Sequence, residues 1–207
     1  MLEAVVFDLY GTLLRLDRDS KPFLRFARAV CPEAPRSVVV QSLLLESRDI
    51  GDFAKRIGFE TFLDTTILDS DLREDLRSAR LFADAVATLA DLKSRGLRLG
   101  LISNLASPYK QPFLSSALAI YFDSLEFSCD AGLRKPDPLF FQRALSALDV
   151  EPRKSLMVGD NLRSDYDGAL SIGMQAILLN RGDQAISPRV PAIKTLREIL
   201  DDPQVPG

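Results

Sequence analysis

The stretch Ala4-Val5-Val6-Phe7-Asp8-Leu9-Tyr10-Gly11-Thr12 is a short apolar run that ends on a carboxylate and passes at once into a Gly-Thr turn. A buried parallel strand reads as such a run, and ligands of open α/β sheets bind beyond the carboxyl ends of the strands. Asp8 therefore stands where chemistry is usually done, and an Asp carboxylate can attack phosphorus or carbon to form a covalent intermediate. Its plain alternative is a strand-end Asp that caps the next turn. Other reactive or ligating side chains recur at or just past the ends of later apolar runs: Ser103 and Asn104, Lys135, Asp160 and Asp165. Thr12 joins them from the first turn.

The residue types present narrow the chemistry. The 207 residues include no histidine. Ser-His-Asp and Cys-His catalysis, histidine general bases and His-ligated zinc are thereby excluded. Cys31 and Cys129 lie far apart without a CxxC spacing, which predicts unpaired thiols in a reduced compartment. Catalysis falls to Asp, Glu, Lys, Ser, Thr, Tyr or a metal held by oxygen ligands. A net charge of −3 with scattered Lys and Arg gives no footprint for nucleic acid. No apolar run approaches the roughly 18 residues of a membrane span, and no leader pattern opens the chain. A cytoplasmic protein without a nucleic-acid or membrane partner is expected.

These side chains need a scaffold. Apolar runs at 97–102, 122–127, 156–158 and 175–179 alternate with helical patterns at 82–95, 109–119, 138–148 and 164–172. The helical segments space their apolar residues near 3.6, and Gly96 and Gly173 fit as stops. Such alternation implies right-handed βαβ crossovers and a parallel sheet. The region 15–80 breaks it with short amphipathic helices near 22–27, 37–45, 53–57 and 72–79. Val38-Val39-Val40 has strand propensity, but the following Gln41-Ser42-Leu43-Leu44-Leu45 favours helix. The expected organisation is an α/β, Rossmann-like core over residues 1–14 and 81–207, with a small α-helical cap, 15–80, inserted after the first strand. The tail from Asp201 is expected to fray.

With these elements in place, the chain resembles the haloacid dehalogenase-like hydrolase superfamily. Phe7-Asp8-Leu9-Tyr10-Gly11-Thr12-Leu13 resembles its nucleophile motif, Leu101-Ile102-Ser103-Asn104 the second, and Gly132-Leu133-Arg134-Lys135-Pro136-Asp137-Pro138 the third. Val158-Gly159-Asp160-Asn161-Leu162-Arg163-Ser164-Asp165 resembles the acidic fourth. The resemblance implies an aspartyl-phosphate on Asp8. Ser103, Asn104 and Lys135 would contact the phosphoryl oxygens, and Thr12 would orient the nucleophile loop. It also implies Mg²⁺ held by Asp8, Asp160 and the backbone carbonyl of Tyr10, with Asp165 on metal-bound water or orienting Lys135. The expected partner is a small phosphorylated metabolite. Whether the chain is a monomer or a homodimer stays open.

One residue departs from that pattern. Family phosphatases usually place a second Asp two residues after the nucleophile, to protonate the leaving alcohol and then activate water. Here that position is Tyr10. A phenol of pKa ~10 can donate a proton but is a poor base at neutral pH, and losing a general acid–base typically costs roughly 10²–10⁴-fold. Asp-x-Tyr-Gly-Thr also resembles the dehalogenase branch, in which a halide leaves unprotonated and no metal is needed. Asp160 and Asp165 argue against that branch, which carries Ser and Asn in this segment. Phe141 also stands where dehalogenases have Tyr. Arg36 and Arg48 are the halide-site candidates, without supporting spacing. A catalytically weak binding or regulatory protein is the third reading.

Overall fold

The structure is a computed structural model that describes residues 1–59, 64–182 and 185–206. Its centre is a six-stranded sheet in the order β5-β4-β1-β6-β7-β8. The strands are β1 (Ala4–Phe7), β4 (Arg98–Ser103), β5 (Ser124–Phe127), β6 (Ser155–Gly159), β7 (Gln175–Leu179) and β8 (Ala192–Ile193). All adjacent pairs are parallel. The first-strand run and the fourth-motif run thus become next neighbours at the sheet centre, Phe7 in register with Val158.

Residues 4–7 are buried on both faces, and their alternation sorts them into two apolar layers. Val5 and Phe7 pack with Leu99, Leu101, Leu156 and Val158 beneath α5 (Ala85–Ser94), through Leu89 and Leu92. Ala4 and Val6 pack with Ile102 and Met157 beneath α8 (Pro138–Leu148), through Phe140, Phe141, Ala144 and Leu148. Each fully buried Leu or Phe contributes roughly 1.5–3 kcal/mol. Gly100 lets α8 approach the sheet: a Cβ there would stand 2.9 Å from Leu148 Cδ1.

The chain leaves this core through β2 (Leu14–Leu16) and returns through β3 (Ala79–Leu81), which form an antiparallel ribbon with Arg15 opposite Arg80. Between them lie α1 (Pro22–Val30), α2 (Pro35–Leu44), α3 (Ile50–Arg56) and α4 (Thr66–Arg77). Val38-Val39-Val40 is helical, as its continuation favours. These helices share a small core of their own, built from Phe23, Phe26, Val38, Ile50, Phe53, Leu68 and Leu72. Ala106 and Tyr109, which follow β4, pack against it.

Three expectations need correction. The predicted helix 109–119 is broken: a 3-10 turn (Ser107–Lys110) leads into α6 (Gln111–Leu114), and a second 3-10 turn follows at Ala119–Tyr121. Ser116 ends the helix by turning its hydroxyl to its own backbone, donating to the Phe113 carbonyl (2.7 Å) and accepting from Leu118 N–H (3.2 Å). The segment after β6 is a π-type helix (Leu162–Asp167) that tightens into α9 (Gly168–Leu170). The tail is tied down over its described residues. Val205 is buried, Leu2 N–H donates to the Gln204 carbonyl (2.9 Å), and Arg95 donates to the Pro206 carbonyl (3.1 Å). No helix among the described residues is long and apolar enough to cross a membrane.

Candidate active site

Asp8 extends the β1–β6 ladder by one bond, its N–H donating to the Val158 carbonyl (3.0 Å). The chain then folds back sharply. Leu13 and Leu14 N–H both donate to the Leu9 carbonyl (2.8 and 2.9 Å), and Gly11 N–H donates to Leu14 (2.7 Å). Gly11 has φ +92°, and a Cβ there would lie 2.1 Å from Asp160 Oδ2, so position 11 has room for no side chain. Gly159 plays the same part for the second carboxylate, since its Cβ would lie 2.3 Å from Asp165 Oδ2. Two glycines thus let three carboxylates converge. Oxygens of Asp8, Asp160 and Asp165 lie within 4.8 Å of one another.

Lys135 sits at the centre of this cluster, its side chain 1% exposed. Its Nζ donates to Asp8 Oδ1 (2.6 Å) and pairs with Asp165 Oδ1 (2.7 Å). It comes from the loop between α7 (Ser128–Ala131) and α8. Asn104 holds that loop: its side-chain amide donates to the Lys135 carbonyl (2.9 Å) and accepts from Lys135 N–H (2.8 Å). The Asn104 side chain is thus committed to the backbone of the lysine, which leaves its own backbone N–H as the group it can offer to a phosphoryl oxygen. Asp165 faces Lys135 Nζ with one oxygen (2.7 Å), and its other oxygen accepts from Asn161 N–H (3.0 Å).

Burial pushes the Asp8 carboxyl up to about 7; Asp165 and Asp160 push the same way, against Lys135. Desolvation, then the charge of Asp165, also raises Asp160. Burial alone would lower Lys135, but Asp8 and Asp165 overcome it and hold the ammonium above its ordinary range. Three carboxylates around one ammonium leave an excess of negative charge, and all the free oxygens are hard donors. This arrangement fits a divalent cation that takes oxygen ligands.

The remaining predicted residues fall around this centre. Ser103 Oγ lies 3.5 Å from Asp8 Oδ1. Thr12 Oγ1 is buried without a hydrogen-bond partner, an open polar atom in the turn after Asp8. The Tyr10 hydroxyl donates to the Tyr109 carbonyl (2.9 Å), and the two rings meet edge to face. Burial raises the Tyr10 phenol above its ordinary value, so it holds its proton. Arg181, just past β7, went unnoticed in the sequence because nothing in its spacing marks it. Its guanidinium grips Asp84 through both oxygens (2.9 and 3.0 Å), lies 3.9 Å over the Phe82 ring, and donates to the Thr12 carbonyl (3.0 Å). It thereby braces the turn that carries Gly11. The dehalogenase-type candidates are elsewhere: Arg36 and Arg48 are exposed, with Arg48 paired to Asp52, and Phe141 is buried in the apolar layer under α8.

A cavity of about 350 Å³ lies between Tyr10 and Asn104 on the core side and α1 and α2 on the other; Asn104 links it to the Lys135 loop and Tyr10 to the turn after Asp8.

The model of haloacid dehalogenase-like hydrolases matches residues 2–173. The chain belongs to this family. Within it, a phosphoserine phosphatase of Thermus thermophilus is 36% identical over 125 residues, 58% of this chain and 50% of that protein. The haloacid dehalogenase-like chain thus spans about half the length of that relative. Two solved structures superpose over 97% of both chains, each with a TM-score of 0.68 and 25% identity. One is a phosphatase of this family from Thermococcus onnurineus, and the other a 2-haloacid dehalogenase from Pseudomonas syringae pv. Tomato DC3000.

Proposed function

We propose that this haloacid dehalogenase-like protein hydrolyses the phosphate ester of a small metabolite through an aspartyl-phosphate on Asp8. The observation that carries the reading is the cluster of Asp8, Asp160 and Asp165 around Lys135 at the carboxyl ends of adjacent parallel strands. Asp8 attacks phosphorus, the bond to the leaving oxygen breaks, and water then releases phosphate and restores the carboxylate. Lys135 places positive charge beside the attacking oxygen and faces the charge that spreads over the transferred group. Ser103 and Thr12 offer hydroxyls to its oxygens. Asp8 and Asp160, with the Tyr10 carbonyl and Asp165, would hold Mg²⁺, which when bound supplies neutralising charge between the carboxylates and an anionic substrate. Residues 15–80 form the cap, which excludes water and selects the substrate, and 1–14 with 81–207 form the catalytic core.

The phosphatase name of the relative supports this reading. Hydrolysis of a carbon–halogen bond is the second reading, favoured by Tyr10 and by the equal likeness to a dehalogenase structure. The acidic cluster and the positions of Arg36, Arg48 and Phe141 weigh against it. An assay of phosphate release with Mg²⁺ and with chelator separates the two. The proposal expects metal-dependent release that Asp8→Asn abolishes. Chloride release from a 2-haloacid in chelator would overturn it.

A further inference from the structure

The cavity between the core and α1 and α2 says what kind of leaving group it can hold. Its walls are mostly apolar, with Leu16, Phe23, Val39, Leu43 and Tyr109; Asp19, Lys21, Ser42 and Asn104 are polar members, and no arginine lines it among the described residues. Lys21 is the one lining cation; it faces Asp19 at 3.6 Å, and both side chains are largely exposed. A substrate carboxylate or second phosphate placed against the apolar walls would lose water there, and its single cation would be Lys21 at the exposed rim, where pairing contributes little. A sugar would bury hydroxyls against Leu, Val and Phe, leaving hydrogen bonds unmade. The proton supply points the same way. The Tyr10 hydroxyl, which borders the cavity, is committed to the Tyr109 carbonyl, so departing oxygen receives little help from it.

We infer that the substrate is an aryl-type phosphate, a monoester whose leaving group is apolar, uncharged and stable as the oxyanion. The inference rests on the phosphatase reading and narrows it. Asp8 Oδ forms the bond to phosphorus while the P–O bond to the aryl group breaks. The electron pair goes to the aryloxide, which takes its proton from solvent. Water then cleaves the aspartyl-phosphate to inorganic phosphate and the Asp8 carboxylate.

Matched esters test this on the intact protein with Mg²⁺: 4-methylphenyl phosphate against 4-carboxyphenyl phosphate, with benzyl phosphate and 4-carboxybenzyl phosphate as an alkyl pair. A missing methylene already changes specificity roughly 10-fold, and an unpaired charge should cost more. The neutral member of each pair is therefore expected to have the higher kcat/KM, by more than about tenfold, with most of the difference in KM. Leu43→Arg, on the α2 wall, should raise kcat/KM for the carboxylated esters. Should Leu43→Arg fail to fold, as judged by its melting curve, the wild-type ratios alone decide. 4-Methylphenyl phosphate should also exceed benzyl phosphate; release that is equal within each pair, faster from the charged ester, or as fast from benzyl as from 4-methylphenyl phosphate overturns the inference and leaves the phosphatase reading intact. No release from any of the four, in protein that melts cooperatively, overturns both.

Discussion

The strand-end cluster and the helical insert spend charge in opposite ways. At the sheet, Asp8, Asp165 and Lys135 are each less than 10% exposed, and Lys135 lies within hydrogen-bond reach of both carboxylates, with Asp160 beside them. In the insert, Arg18 and Arg25 face Asp71, Arg18 also faces Glu74, and the arginines are almost half exposed. Charges near water gain little from pairing, whereas a buried group that loses its partner is strongly destabilising. The core therefore fixes a reactive constellation at the expense of electrostatic strain. The insert fixes only a shape, whose inner wall is apolar. On the proposed function, chemistry belongs to the first region and selection to the second.

The largest break in that contrast is expected from Asp8→Asn. Removing the attacking oxygen should lower kcat by roughly 10³-fold or more. The same change should stabilise the protein in chelator, because it removes a carboxylate from a buried acidic group. The sign follows from protonation. The Asp8 carboxyl stands near 7 in the folded chain against an ordinary 3.8, so the folded state binds the extra proton in between. The Asp8 contribution to stability is therefore full below about 3.8 and is lost as pH rises toward 7. Melting temperature against pH in chelator should show this loss, and Asp8→Asn should flatten it.

Lys135→Met should come next. It leaves Asp8 and Asp165 without their shared cation, and losing one partner of a buried pair costs about 3–5 kcal/mol; urea titration in chelator reads it. Tyr10→Asp should act in the opposite direction on rate. A carboxylate at that position can serve as acid and base, and an increase of about tenfold or more is expected for alkyl phosphates. No increase in phosphate release would show that position 10 does not reach the leaving oxygen. The smallest effect belongs to the insert: Arg25→Ala should cost no more than about 1 kcal/mol by the same titration.

The two regions also differed in how far they could be read from sequence. Strand positions in the core followed from apolar runs such as Ala4–Phe7 and Gln175–Leu179, because a strand covered on both faces must be apolar throughout. Asp8, Asp160, Asp165 and Lys135 were legible because they fall within a set of four ordered segments that together resemble the motifs of one family; singly, each residue type has ordinary structural uses. What escaped was whatever depends on the third dimension. The Asn104 amide holding the Lys135 backbone, the Arg181 brace on Thr12, and the Tyr10 bond to Tyr109 join residues 31, 169 and 99 positions apart. The ribbon of β2 and β3 was missed because three-residue strands carry no period, and the cavity walls because α2 mixes apolar and polar positions without a clear face.

The central claim is that Asp8 itself attacks phosphorus, in a site where Tyr10 gives the following hydrolysis no strong base. Rapid acid quench during turnover of 4-methylphenyl phosphate with Mg²⁺, followed by peptide mass spectrometry, reads this directly. One phosphoryl group should accumulate on the peptide that contains Asp8 and be absent from Asp8→Asn. Undiminished turnover by Asp8→Asn, or a phosphoryl group carried on any other residue, would contradict the account.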